Sequence, residues 1–140
     1  MRRFAFPSRP PWIVAAADGL AILGFTLAGI VSHRGAIPPS AVAEDALPLL
    51  GGWFAAAAVF RLYGHATWRA FLLTWAVGIP VGVLVRAAAL GRLDEPRQLA
   101  FLVTTLVLSL LFVLAARALV AALSTYGARL DRGSSSGTGR

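Results

Sequence analysis

Residues 12–31 form one long apolar run that carries a single charged residue, Asp18. A helix needs about 20 consecutive apolar residues to cross the hydrocarbon core of a bilayer, and this run supplies them. Inside lipid the backbone has no water to bond, so a spanning segment must satisfy its own N–H and C=O groups, as an α-helix does. Three further apolar stretches follow, around Gly51-Gly52-Trp53, around Gly78-Ile79-Pro80-Val81-Gly82, and in the leucine-rich segment leading to Arg117. The expected fold is therefore all-α, an integral membrane bundle of four transmembrane helices. The runs place them at about 12–31, 46–62, 68–88 and 96–123 within one domain, 12–123. A basic, proline-rich segment, 1–11, precedes the domain, and a disordered Ser/Gly/Arg tail, 124–140, follows it.

Composition agrees. With 58% hydrophobic residues and a mean hydropathy of +0.74, a chain of 140 residues is too apolar for an ordinary soluble domain, and the four runs leave no room for a second one. The formal charge of +7 raises nucleic acid as a partner. The arginines, however, flank the apolar runs, where topology signals belong, and form no binding stripe, so no nucleic acid is expected. The absence of cysteine excludes disulfides, thiolate metal sites, covalent haem attachment and a cysteine nucleophile. Met1-Arg2-Arg3 before an apolar run has the look of a signal peptide. The run is too long for that, contains Asp18 and lacks a small-x-small cleavage site before His33, so it reads as a retained helix.

Helix 1 begins at the interfacial aromatic Trp12 and carries a small-residue stripe, Ala17, Ala21, Gly24 and Ala28. Asp18 lies near the edge of that stripe and is expected to face the bundle. Asp45 suits the N-cap of helix 2, which puts Pro48 in its first turn. Thr67 is placed to cap helix 3. There Gly78 and Gly82 form a small-xxx-small pair around Pro80, which frees a carbonyl and is expected to kink the helix about 20 Å from its start. Such a segment serves either as a packing notch or as a point where a bundle moves or binds. Asp94-Glu95-Pro96 reads as a cap followed by a first-turn proline for helix 4.

Arginine counting sets an orientation. With four spans, Arg2, Arg3, Arg9, Arg61, Arg69, Arg129, Arg132 and Arg140 share one side, with Arg117 nearby. Arg34, Arg86, Arg92 and Arg97 fall on the other, offset by Glu44, Asp45, Asp94 and Glu95. The positive-inside rule then places the N-terminus and the C-terminus in the cytoplasm.

On that scheme Asp18 and Arg117 fall at similar depth, and they form a candidate intramembrane polar pair if helices 1 and 4 are neighbours. A charge alone at that depth is costly, and pairing removes most of the penalty. The competing arrangement has Arg117 snorkelling to headgroups and Asp18 hydrated. A purely structural pair is expected to tolerate the swap of Asp18→Arg with Arg117→Asp better than either change alone. At the outer side His33 and Arg86 form a second candidate polar cluster, with Asp94 and Glu95 close in sequence; an interfacial histidine and a snorkelling arginine account for the same residues. His65 falls on the opposite side from His33, so the two cannot share a haem or a metal within one protomer. There is no nucleophile elbow, zinc spacing, phosphate loop or paired intramembrane acid, so neither an enzyme nor a bound metal or cofactor is expected. Ser109 reads as a packing hydroxyl.

The order of these residues resembles a prokaryotic four-span integral membrane protein family of unknown function (domain of unknown function 3054). The resemblance rests on Asp18 opening helix 1, then Phe25, Gly29 and Ser32-His33; on Pro48 leading to Gly52-Trp53; on Trp68; on Gly82 leading to Arg86; on Phe101; and on Arg117 closing helix 4. It covers about residues 15–120, with Leu49 and Ala116 departing from the pattern. It implies four spans and the same polar set, and it implies no activity, substrate or cofactor.

Two functions fit. One is a small transporter-like or ligand-binding bundle in the cell membrane, with its site around Asp18 and Arg117, the Pro80 segment and the His33–Arg86 mouth. Four spans make a cramped pathway, so this function implies a homo-oligomer, with the small-residue faces of helices 1 and 3 as contacts. The alternative is a non-catalytic accessory or assembly subunit of a larger membrane complex, whose polar residues only fix helix packing.

Overall fold

The computed structural model describes residues 10–65 and 67–135. They form four helices, α1 (Pro11–Arg34), α2 (Pro39–Val59), α3 (Trp68–Ala89) and α4 (Gln98–Ser135), with no strand among the described residues. Each contains a stretch long and apolar enough to cross a membrane: Pro11–His33, Pro39–Val59, Trp68–Ala89 and Gln98–Gly127. The chain is a multi-pass helical membrane protein that resides in a lipid bilayer.

Several boundaries differ from those read in the sequence. α2 starts seven residues early, because Pro38 takes the N-cap position and Pro39 the first turn, where its missing N–H costs nothing. Asp45 is thus no cap but an interior helical residue. Pro48 also lies inside the helix, where it frees the Glu44 carbonyl. α2 also ends earlier, at Val59, since Arg61 adopts a left-handed conformation (φ 52°). The Leu62 N–H then bonds the Ala57 carbonyl at 2.9 Å, and that of Arg61 the Ala58 carbonyl at 3.2 Å. α4 starts at Gln98 rather than 96, because residues 93–97 form turns, with the Gln98 N–H on the Glu95 carbonyl at 2.9 Å. Its helix continues through Ser135, so the expected disordered tail is helical over most of its length. Residues 1–9 of the basic segment and 136–140 of the tail lie outside the described residues. Thr67 caps α3 as expected, its hydroxyl accepting from the Ala70 N–H at 3.2 Å.

The helices close into a ring. α1 packs on α2 and α4, α3 packs on α2 and α4, and the diagonal pairs do not meet at backbone level. The tightest seam is α2 against α3, and glycine makes it. A Cβ on Gly52 would collide with the Gly78 carbonyl and the Gly82 backbone. One on Gly82 would lie 2.7 Å from the Pro48 carbonyl oxygen, and one on Gly78 would lie 2.9 Å from that of Gly52. In lipid, where no hydrophobic force draws helices together, such backbone approach supplies the packing attraction. The glycine face of α3, expected to be available to another protomer, is occupied by α2. α3 itself runs as one helix through Pro80. The seams with α4 are built from larger groups: Phe25 meets Phe112 edge-on at 6.1 Å, and the Trp75 indole N–H donates to the Leu106 carbonyl at 3.1 Å. Ile22, Leu49, Trp53, Phe71, Ile79, Val83 and Val113 fill the middle.

Candidate functional site

This ring holds two polar centres, one towards each end. The first is at the end shared by the start of α1, the close of α4 and the α2–α3 turn. Arg117 lies against Asp18 in a two-pronged arrangement, Nε donating to Oδ1 at 2.8 Å and Nη2 to Oδ2 at 2.5 Å. Both side chains are buried, Asp18 at 0% and Arg117 at 4% exposure. The Tyr63 hydroxyl donates to Asp18 Oδ2 at 3.0 Å and accepts from the Trp53 indole N–H at 3.0 Å. The guanidinium also lies over the Phe71 ring, 4.7 Å from its centroid, and Phe71 stacks on Trp68 at 5.2 Å. Burial raises the Tyr63 hydroxyl well above its ordinary range and the Asp18 carboxylate adds to the rise, so the phenol stays a donor. All four helices and one turn meet in this cluster. Opposite charges, a bidentate geometry and a π face together offset the cost of removing both ions from water.

The second centre lies at the other end, where α1 and α3 finish and α2 and α4 begin. Here a cavity of about 310 Å³ is lined by Phe25, Gly29, Ile30, Leu49, Phe101 and Leu108, with His33, Asp45, Arg86 and three threonines supplying polarity. Such a volume, mostly apolar with few polar groups, is within the range of small-molecule sites. Arg86 Nε donates to Asp45 Oδ1 at 2.5 Å, and the guanidinium lies over Phe101, 4.7 Å from its centroid. Arg86 is 11% and Asp45 17% exposed, so this pair is less sealed than that of Asp18.

Thus Asp18 and Arg117 lie together, and His33 and Arg86 line one cavity. The acid beside Arg86 is Asp45; Asp94 and Glu95 are exposed, and Glu95 faces Arg92 at 3.6 Å. Reading Asp45 as a cap hid it, although the Pro38-Pro39 start would have put it inside α2. Tyr63, Trp53 and Phe71, which carry no charge to mark them in sequence, complete the first centre. Tyr63 lies beyond the end of α2 in the turn that holds the left-handed Arg61, and its hydroxyl reaches Asp18 from there. Gly78, Pro80 and Gly82 belong to the α2–α3 seam or its flank and do not line the cavity. His33 and His65 lie at opposite ends of the bundle. Among the described residues no group of three His, Asp or Glu side chains could hold a metal ion.

A family described as a protein of unknown function, DUF3054, matches residues 15–120. The chain belongs to this family. No curated protein and no solved structure matches it. The residues on which the resemblance in sequence rests sort by place in the fold. Asp18, Trp53 and Arg117 meet in the buried ion-pair cluster, and Phe25, Gly29, His33, Arg86 and Phe101 line the cavity. Gly52 and Gly82 form the glycine seam. These residues fall in three places: the ion-pair cluster, the α2–α3 seam and the cavity.

Proposed function

We propose that the protein is a small-molecule-binding, transporter-like membrane bundle, with its ligand site in the chamber at the His33–Asp45–Arg86 end. The observation that carries this reading is the chamber itself. It is large enough for a small molecule, is lined mostly by apolar groups, and has a half-sealed ion pair at its wall. Asp18 and Arg117, expected at first to be the binding site, act in this reading as the clasp that holds α1, α4 and the α2–α3 turn in register. Their polar groups point at one another and leave a ligand little to bind. The protein binds and passes its ligand without converting it. Both termini lie in the cytoplasm of a cell membrane, as the arginine distribution favours, and the chamber faces the opposite side. One protomer is too slight for a full pathway, so a homo-oligomer forms the working unit.

Gly29 offers the test. It lines the chamber, and a Cβ there would meet nothing within 4 Å, so Gly29→Leu fills the space without disturbing the backbone. The protein is extracted from native membranes in lipid discs and its retained small molecules are identified by mass spectrometry. Wild type is expected to carry a small molecule that Gly29→Leu loses, with unchanged thermal unfolding. Equal retention by both, or a stoichiometric protein partner and no small molecule, would count against this reading; the latter would favour an accessory subunit.

A further inference from the structure

We propose that the chamber selects a small organic acid, its carboxylate on Arg86 and its apolar body among Phe25, Leu49 and Leu108. This rests on the chamber being the ligand site, and adds the chemical class. The reason is an imbalance between donors and acceptors. Arg86 uses Nε on Asp45 and leaves its two terminal nitrogens with no hydrogen-bond partner among the described residues. Thr105 lines the chamber at 1% exposure, and its hydroxyl has no partner among the described residues. On the same face of α4, two turns earlier, the Gln98 amide nitrogen is buried and equally unpartnered. His33 stands at the rim. Of these donors only the Gln98 amide nitrogen is fully buried without a partner, outside the chamber lining; those of Arg86 and Thr105 are at the chamber wall, where one carboxylate accepts several charge-assisted hydrogen bonds at once. The Asp45 pairing holds the guanidinium in place over Phe101 and leaves its outer edge for the ligand. A volume of about 310 Å³ admits a short or single-ring acid and excludes a diacyl lipid.

The probes are benzoate and its neutral counterpart benzamide, titrated calorimetrically into the full chain in phosphatidylcholine nanodiscs. Benzoate is expected to bind saturably and at least about tenfold tighter than benzamide. Thr105→Val removes a hydroxyl that no protein group uses, and is expected to weaken benzoate about threefold or more with unfolding unchanged. Arg86→Gln combined with Asp45→Asn keeps the wall uncharged and is expected to abolish the preference for benzoate. Equal affinity for the two probes would overturn the acid class and leave the chamber reading standing. Binding of neither probe would overturn the acid class, and the Gly29→Leu comparison then judges the chamber separately. Loss of benzoate binding when phosphatidylglycerol replaces phosphatidylcholine would assign the oxyanion to a lipid headgroup and overturn the free acid.

Discussion

Asp18 accepts hydrogen bonds from Arg117 Nε, Arg117 Nη2 and the Tyr63 hydroxyl, in a segment where an unpaired carboxylate would be forced to pick up a proton or water. Removing one ion strands the other. Arg117→Leu is expected to destabilise the protein by about 3–5 kcal/mol, and Asp18→Leu added to it is expected to recover most of that loss, read by unfolding in detergent. A charge swap is a poor test of the pair, since it would put a guanidinium against the Tyr63 hydroxyl and a carboxylate over the Phe71 ring. Tyr63 supplies a second check. Its folded pKa is raised, so its contribution to stability is present in full below the unfolded value and fades as pH climbs towards the folded one. In Tyr126→Phe, which leaves Tyr63 as the sole tyrosine, tyrosinate absorbance is expected to stay absent through about pH 11 and to appear with unfolding. Of this cluster the two ions were legible in sequence, because charges inside apolar runs stand out. Tyr63 and Trp53 were not: an aromatic at a helix end, such as Tyr63, ordinarily marks the interface, and Trp53 lies inside an apolar run where it reads as packing.

At the scale of the element, the α2–α3 seam decides which substitutions the bundle survives. Gly52 and Gly51 are neighbours on α2 with opposite surroundings: Gly52 is pressed on the α3 backbone, whereas a Cβ on Gly51 meets nothing within 4 Å. Gly52→Ala is expected to cost about 3 kcal/mol or more, since backbone cannot swing aside as a side chain does. Gly51→Ala is expected to be neutral or slightly stabilising. Thermal unfolding of the two variants in one detergent separates them. The seam was half legible: the Gly78–Gly82 spacing announced a close approach, but spacing cannot say whether the partner is α2 or another protomer. In soluble helices an acidic residue such as Asp45 is a favoured cap. Between apolar runs a proline pair starts a helix as well, and that choice moves Asp45 onto the chamber wall.

At the scale of the whole molecule, the four-span count followed from run length alone, whereas the chamber could not be seen in sequence. Its walls come from all four helices, and apart from His33 and Arg86, expected as a polar cluster at that mouth, and Asp45, expected as a cap, the lining residues read locally as packing. The bundle is asymmetric along its axis, with the Asp18–Arg117 clasp near the start of α1 and the chamber at the other end. α4 shows this asymmetry along its own length. Thr105 and Ser109 are buried one turn apart; Thr105 lines the chamber, while the Ser109 hydroxyl bonds the Leu106 carbonyl at 3.1 Å. Because the chain has no cysteine, single replacements report on the chamber without background. The most direct measurement is the reaction rate of Gly29→Cys, on the chamber wall where a Cβ meets nothing within 4 Å, and of the buried Ser109→Cys outside the chamber, with a small charged thiosulfonate reagent in lipid nanodiscs. A water-accessible chamber predicts fast modification at Gly29→Cys and protection at Ser109→Cys; equal rates, or an unreactive Gly29→Cys, would contradict it.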